Sequence, residues 1–319
     1  MEQELDTAAV AAILLFLSIL SCGIFLWIVR LNKSPRPVDT AASVLPWSIG
    51  WANFGLFICA LIISVSVTQF FAAQLVNFSS EPVADELEVD QTVISEETYH
   101  SSDPGNTSEL EPVMPDPWIA VLSVLLLQIP MVFTFYGLRV AYPEIFGGAL
   151  NQKSVSIRRA IVQTTPYFAR CFPIIWLAGL VWLGLLTSLQ KLDILNDFPP
   201  QQLVTILSNG GSPFAVGLLV LSAVLLAPFV EEIIFRGAIY RFLKGHIPVF
   251  SAQLISGIVF AFMHFNLMSF VPLIVIGVFL ARIYEREGNI LLPMIFHAYW
   301  NGFSLLMLFL TSQSEVSFG

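Results

Sequence analysis

Long stretches without a charged residue dominate this sequence, and they restrict its fold more than any other feature. A helix needs about 20 apolar residues to cross the hydrocarbon core of a bilayer. Eight candidate segments lie at about 8–29, 48–76, 118–138, 166–189, 213–240, 250–267, 268–284 and 289–311. Because backbone polar groups in lipid must be satisfied internally, we expect an all-α, polytopic transmembrane helical bundle of about eight spans.

The amino-acid composition excludes a soluble enzyme with a single membrane anchor. Hydrophobic residues make up 56% of the 319 residues and charged residues only 12%, about half the share usual in soluble domains. Cys22, Cys59 and Cys171 are scattered through the apolar runs. Three such cysteines predict neither a disulfide framework nor a cysteine-rich metal site.

The basic residues indicate the orientation of the bundle. Of the 14 Lys and Arg residues, only Lys191 falls on the opposite side from the rest when eight spans are threaded through the bilayer. Cytoplasmic loops carry an excess of Lys and Arg. We therefore predict that the basic side is cytoplasmic and that both termini lie outside.

The distribution of apolar and charged residues divides the chain into five parts. Residues 77–117 contain eleven acids and neither Lys nor Arg, which predicts a disordered, acidic external loop. This loop accounts for the net charge of −9, so the acidity says nothing about a partner of the core. The other parts are two N-terminal spans (1–76), spans three and four with a basic cytoplasmic loop (118–212), a core (213–311) and a C-terminal tail (312–319).

Two adjacent carboxylates, Glu231 and Glu232, directly follow the apolar run 214–230. An ionisable side chain at bilayer depth costs roughly 2.5–3.5 kcal/mol. On a helix, Glu232 and Arg236 share a face and can neutralise each other, whereas Glu231 points about 100° away. One interpretation is a structural ion pair with a spare acid. We prefer the other, in which Glu231 is free for chemistry, because ionisable residues within spans are usually functional.

Two histidines, His264 and His297, also lie inside apolar runs. His297 and Asn301 are four residues apart, so one helix face presents an imidazole together with an amide. Polar groups at membrane depth need each other or water to be tolerated. We therefore expect Glu231, His264, His297 and Asn301 to meet inside the bundle.

Three short motifs now occur in order, each on a predicted membrane helix. They are Glu-Glu-x-x-x-Arg at 231–236, Phe-x-x-x-His at 260–264 and His-x-x-x-Asn at 297–301. This set resembles the CPBP family of intramembrane proteases (CAAX proteases and bacteriocin-processing enzymes, also called ABI proteins), which includes the CAAX prenyl endopeptidase type 2. The resemblance covers roughly residues 213–311, and the earlier spans and the acidic loop lie outside it.

The resemblance implies a role for each matching residue. Glu231 corresponds to the family's water-activating residue, and His264 to the histidine that helps to hold or activate that water. The third motif, His297 and Asn301, is taken to line an oxyanion hole. Glu232 and Arg236 complete the first motif, and Phe260 packs the second. The residue types suit this chemistry, because a carboxylate can act as a general base and amide or imidazole N–H groups can stabilise an oxyanion.

The participation of a metal is left open by the sequence. Two histidines and a carboxylate can hold zinc, and Glu231, His264 and His297 would then be the ligands. The soluble metalloprotease pattern His-Glu-x-x-His is absent, and a glutamate-dependent mechanism needs no further ligand. We prefer the metal-free interpretation, although the family is often catalogued as metalloproteases.

The predicted function is hydrolysis of a peptide bond in a membrane-associated protein or peptide, with a prenylated CAAX-type substrate as one form. The expected partners are this substrate and the lipid bilayer, with no nucleic acid, and the expected location is the bacterial plasma membrane or, in a eukaryote, the endoplasmic reticulum. One alternative is a non-catalytic immunity or scaffold protein of the same fold. A proton-coupled transporter would also use intramembrane Glu and His, but the sequence shows no internal repeat of the kind many transporters have.

Overall fold

A computed structural model of the chain describes residues 7–31, 44–79, 117–195 and 212–316. In these ranges the regular structure is entirely helical, which confirms the predicted all-α bundle. The helices are α1 (Thr7–Leu31), α2 (Trp51–Ser79), α3 (Pro117–Ala141), α4 (Pro143–Phe146), α5 (Ile157–Lys191), α6 (Pro213–Lys244), α7 (Val249–Phe262), α8 (Phe270–Glu287) and α9 (Leu291–Val316).

Six helices in the described part are long and apolar enough to cross a membrane, namely α1, α2, α3, α5, α6 and α9. Each coincides with a predicted segment, so the protein is a multi-pass integral membrane protein. The predicted span 250–267 is wrong in its length, because α7 has only 14 residues. At 1.5 Å per residue it extends about 21 Å, less than the roughly 30 Å of a hydrocarbon core. The predicted span 268–284 corresponds to α8, whose last turns are charged.

The outer boundaries of the predicted parts differ slightly from the observed helices. Helix α2 continues to Ser79 and α9 to Val316, beyond the predicted limits of 76 and 311. Residues 80–116, which make up nearly all of the predicted acidic loop, lie outside the described residues. The external location of both termini stays a prediction.

Helix α6 is the central element, and its geometry is irregular. It contains two π-helical stretches, Ser222–Leu226 and Ile233–Tyr240, on either side of the α-helical turn Ala227–Glu232. Short π-helical stretches inside α-helices often mark functional sites. Both adjacent glutamates lie in the α-helical part between them.

A hydrophobic core packs four other helices around α6. Its buried members include one residue from each of α5 to α9, namely Ile175, Phe235, Phe260, Leu280 and Phe296. Within this core, α7 and α8 cross in direct backbone contact, because a Cβ atom at Gly277 would lie 2.6 Å from Gly257 Cα. Small residues allow such close approach of helices in membranes. The crossing brings the backbone of α8 up to α6.

The N-terminal part of the chain is attached to this core at two places. Trp27 in α1 donates to the carbonyl of Arg170 in α5 at 2.8 Å. The segment before α2 is held by α6, where Arg241 Nε donates to Leu45 O at 2.8 Å and Lys244 Nζ to Val44 O at 2.6 Å. The contacts of Arg241 and Lys244 hold the C-terminal end of α6 against the segment before α2.

Candidate active site

The two glutamates of α6 belong to two distinct halves of one polar cluster. The ion-pair half consists of Glu232 and Arg236, and the open half consists of Glu231 and His264. Glu232 Oε1 lies 3.0 Å from Arg236 Nη1, and both side chains are fully buried. The predicted ion pair is therefore present, and it neutralises one of the two carboxylates inside the bundle.

Arg236 is held by two further groups. Its Nη2 donates to the carbonyl of Gly277 at 3.1 Å, at the backbone crossing of α7 and α8. Its guanidinium carbon lies 4.6 Å from the centre of the Phe260 ring, in the range of a cation–π contact. The buried charge is thus compensated by a carboxylate, a carbonyl and an aromatic face.

His297 connects the two halves of the site. Its Nδ1 lies 3.1 Å from Glu232 Oε1, and its Nε2 lies 3.9 Å from Glu231 Oε2. The contact with Glu232 was not predicted, because the four-residue spacing along α6 pairs Glu232 with Arg236 alone. Glu232 therefore orients an imidazole in addition to neutralising the arginine.

In the open half, Glu231 faces both imidazoles without a direct hydrogen bond. Its Oε2 is 3.9 Å from His264 Nε2 and 3.9 Å from His297 Nε2, beyond the usual hydrogen-bond limit. This oxygen is buried and has no hydrogen-bond partner among the protein atoms, although the Glu231 side chain as a whole is 21% exposed. The spacing is one that a water molecule can bridge.

Each histidine forms one Nδ1 contact on the side of its ring away from Glu231. In a neutral imidazole, this contact determines which ring nitrogen carries the proton. His264 Nδ1 lies 2.8 Å from the carbonyl of Phe260, so it donates there. His297 Nδ1 donates to the carboxylate of Glu232. In a neutral imidazole the other nitrogen is then an acceptor. Three acceptors, two Nε2 atoms and Glu231 Oε2, thus surround one small space that favours a proton donor such as water.

His264 lies beyond the end of α7 and not within a membrane helix as predicted. The turn that follows is stabilised by Asn266, whose Oδ1 accepts from the backbone N–H and the hydroxyl of Ser269. Phe265 adopts a positive φ of 47° in this turn and is 81% exposed. Because α7 stops at Phe262, the His264 side chain is 31% exposed and the site can be reached from outside the bundle.

Phe260 packs against both histidines, and Asn301 attaches α9 to α6. The fully buried Phe260 ring lies 4.6 Å from the His264 ring and 5.5 Å from the His297 ring, measured between centroids. Asn301 Nδ2 donates to the carbonyl of Ala223 in the first π-helical stretch at 2.8 Å. One N–H of this amide is therefore used to attach α9 to α6, and the other is the one that a substrate could use.

The donor set of the open half resembles a zinc site in its residue types only. Two imidazole nitrogens and a carboxylate are ligands that zinc accepts, and the unpartnered Glu231 Oε2 lies between them. In the described parts of the chain, however, no three His, Cys, Asp or Glu side chains are arranged to hold a metal ion. The metal-free interpretation stays a prediction, and we assign no step of the reaction to a metal.

A separate cavity of about 530 Å³ opens between α3, α6, α9 and the segment 150–155. Its apolar walls include Phe229, Ile233 and Met294. Glu231, His264 and His297 do not line it. We therefore place the candidate active site at the polar cluster and not in this cavity.

Comparison with known proteins finds similarity in the segment that contains the three motifs. Residues 213–303 match the family described as Type II CAAX prenyl endopeptidase Rce1-like. Over 93 residues the chain is 32% identical to "Putative membrane peptidase YdiL" of Bacillus subtilis (strain 168). That match spans 29% of this chain and 38% of the relative, and no solved structure matches. The predicted resemblance is confirmed over residues 213–303, which are similar to the Rce1-like family of type II CAAX prenyl endopeptidases, and the chain spans well under half the length of the curated relative that it matches.

Proposed function

We propose that the protein is an intramembrane endopeptidase in which Glu231 activates the hydrolytic water. The observation that carries this proposal is the buried Glu231 Oε2, which has no hydrogen-bond partner and faces two imidazole Nε2 atoms at 3.9 Å. The neighbouring Glu232 is already neutralised by Arg236. Of the two carboxylates, Glu231 is therefore the one available to accept a proton.

In the proposed reaction, a water molecule lies between Glu231 Oε2 and His264 Nε2. Its oxygen attacks the carbonyl carbon of the scissile peptide bond while one of its protons passes to Glu231. The tetrahedral intermediate then collapses, the C–N bond breaks, and Glu231 returns the proton to the departing amine nitrogen. The products are a carboxylic acid and an amine, and Glu231 is a carboxylate again.

The oxyanion of the intermediate requires hydrogen-bond donors placed in advance. The second N–H of Asn301 can serve this purpose, because the first is held by Ala223 O. His297 donates from Nε2 only when both ring nitrogens carry protons, since its Nδ1–H is directed at Glu232. Glu232 thus acts through the orientation of His297.

The proposed substrate is a membrane-associated protein or peptide, with a prenylated C-terminal segment as the form that the family description suggests. The surroundings of His264 support an apolar substrate, because Phe262, Met263 and Phe265 are all exposed beside it. An apolar group carried by the substrate would meet these side chains on its way to Glu231. The membrane that houses the protein is proposed to be a bacterial plasma membrane.

The test is cleavage by the purified full-length protein in detergent, with matched peptides that carry or lack an isoprenoid group. We expect cleavage by the wild type, loss of cleavage in Glu231→Gln, and wild-type cleavage in the control Glu144→Gln, which changes an exposed acid in α4. Cleavage that persists in a strong chelator supports the glutamate-dependent mechanism. Cleavage that is lost in chelator and restored by zinc would contradict the metal-free part of the proposal.

The same variants separate the proposal from the two alternatives. Proton uptake into sealed vesicles that depends on Glu231, without cleavage of any peptide, would favour a transporter. A cellular phenotype that survives Glu231→Gln would favour a non-catalytic protein of the same fold. Wild-type cleavage by Glu231→Gln would remove Glu231 from the mechanism altogether.

A further inference from the structure

Arg241, in the last turn of α6, is a buried cation that no acid of the described residues neutralises. The two other buried cations of this helix are paired with acids, Arg236 with Glu232 at 3.0 Å and Lys244 with Glu285 at 2.7 Å. Arg241 is 2% exposed, and it forms no ion pair with any acid in the described ranges. Its Nε donates to a backbone carbonyl, but its Nη1 has no hydrogen-bond partner. Buried charges are normally paired, because an unpaired one costs several kcal/mol.

A second guanidinium increases this imbalance. Arg139, at the end of α3, donates to the carbonyl of Gly148, and a Cβ atom on the same glycine would lie 3.7 Å from Arg241 Nη2, so the two like charges lie close together. Arg139 donates to the carbonyls of Phe146 and Gly148 and likewise forms no ion pair in the part of the chain that the structure describes. The titratable group beside both arginines is Tyr284, whose hydroxyl donates to the carbonyl of Leu150. Among the described residues, the cluster therefore holds two positive charges and no carboxylate.

The structure leaves space in front of the Arg241 guanidinium. Gly148 has a φ of +107°, and a Cβ atom built on it would lie 3.7 Å from Arg241 Nη2 and meet no other atom within 4 Å. Gly148 itself is exposed. The position that a side chain would fill at this exposed glycine is therefore open, and it adjoins Arg241 Nη2.

The location of the cluster indicates the kind of anion that it would meet. It lies at the C-terminal ends of α3 and α6, on the side of the bundle that carries the other basic residues and that we predict to be cytoplasmic. The cytoplasmic leaflet carries anionic lipid headgroups that attract basic groups near the surface. Two guanidinium groups present several N–H donors in the planar geometry that matches phosphate oxygens.

We propose that Arg139 and Arg241, with Gly148 between them, bind a phosphate group at this membrane face. The phosphate belongs either to an anionic phospholipid or to a free phosphate compound. It supplies the missing negative charge next to the Arg241 guanidinium, on the Nη2 side that adjoins Gly148, and joins the end of α3 to the end of α6. Binding at this position stabilises the fold of the helix that carries Glu231, independently of the reaction proposed above.

The test compares thermal unfolding of the full-length protein in two settings. The first is lipid nanodiscs of phosphatidylcholine alone or with phosphatidylglycerol, without phosphate in the buffer. The second is detergent with inorganic phosphate or with chloride at equal ionic strength. We expect the anion to raise the unfolding temperature of the wild type by about 2–4 °C. The increase should be lost in Arg241→Gln and kept in Arg159→Gln, an exposed basic residue of α5.

The outcomes assign the source of the phosphate or overturn the site. A shift with phosphatidylglycerol alone identifies a lipid headgroup, and a shift with inorganic phosphate shows that the phosphate group is sufficient. No shift in either setting, or an equal shift in wild type and Arg241→Gln, contradicts the proposal. If Arg241→Gln does not fold, Arg139→Gln provides the same comparison, with retention of phosphatidylglycerol in native mass spectrometry as the second readout.

Discussion

Glu231 and Glu232 are neighbours in the chain, yet they lie in opposite surroundings. Glu232 is fully buried and contacts Arg236 and His297 at 3.0 and 3.1 Å. Glu231 is partly exposed, and its buried oxygen has no hydrogen-bond partner. One buried oxygen of each carboxylate lacks a hydrogen-bond partner, but of the two only Glu232 is neutralised by an arginine. A neutralised carboxylate contributes to stability and orientation, whereas one without a partner keeps its capacity for a substrate or water. In the proposed mechanism, the two halves of the site therefore divide stability and reactivity between adjacent residues.

The difference arises from the packing around α6. Arg236, Phe260 and the Gly277 carbonyl close one side of the helix. On the other side, α7 ends at Phe262, so His264 lies in the following turn and its side chain is 31% exposed. Substitutions in the two halves of the site remove or measure this difference between the closed and the open side of α6.

The largest stability effect is expected from Glu232→Ala. This change leaves Arg236 buried without its carboxylate, and breaking such a pair typically costs about 3–5 kcal/mol. Urea or thermal unfolding of the purified protein measures the loss. The double variant Glu232→Leu with Arg236→Met should recover most of the stability, because no buried charge remains. It should still cleave poorly, since His297 lacks its Nδ1 acceptor. An unchanged unfolding free energy in Glu232→Ala would contradict the role of the ion pair.

A smaller loss is expected from Gly277→Ala at the crossing of α7 and α8. The new Cβ would lie 2.6 Å from Gly257 Cα, and overpacking of this kind typically costs about 1–3 kcal/mol. Cleavage should also fall, because the Gly277 carbonyl accepts from Arg236. The matched control is Gly184→Ala in α5, where a Cβ meets nothing within 4 Å. Equal unfolding temperatures for the two variants would argue against a tight crossing.

The smallest effect is expected from Arg286→Ala, which removes an exposed ion pair instead of a buried one. Arg286 Nε lies 3.8 Å from Glu287 Oε1, and the arginine side chain is 52% exposed. Exposed pairs contribute only about 0–1 kcal/mol, so unfolding and cleavage should both stay close to wild type. A loss of stability comparable to that of Glu232→Ala would show that burial does not determine how much an ion pair contributes to the stability of this protein.

The sequence predicted those features of the site that depend on spacing along one helix. The Glu232–Arg236 pair and the separate direction of Glu231 follow from a four-residue interval, which fixes the relative faces of side chains. The meeting of His264 and His297 with Glu231 followed from the requirement that polar groups in a bilayer find partners. Family motifs supplied the same residues independently.

Features that depend on how one helix is rotated against another were not predicted. The contact of His297 with Glu232 and the bond from Asn301 to Ala223 O belong to this group. Membrane helices are apolar on nearly all faces, so hydrophobic periodicity does not show which face packs inward. Gly257 and Gly277 carried a usable signal, because small residues mark close helix crossings in membranes. The early end of α7 was missed because the apolar residues continue through the turn to Met268.

The central claim is that Glu231 performs the chemistry while Glu232 maintains the structure around it. The most direct test measures cleavage rate and unfolding temperature on the same preparations of wild type, Glu231→Gln and Glu232→Gln. We expect Glu231→Gln to unfold like the wild type and to cleave about 10²–10⁴-fold more slowly. Glu232→Gln should unfold at a clearly lower temperature. Wild-type cleavage by Glu231→Gln, or a loss of stability confined to that variant, would contradict the account.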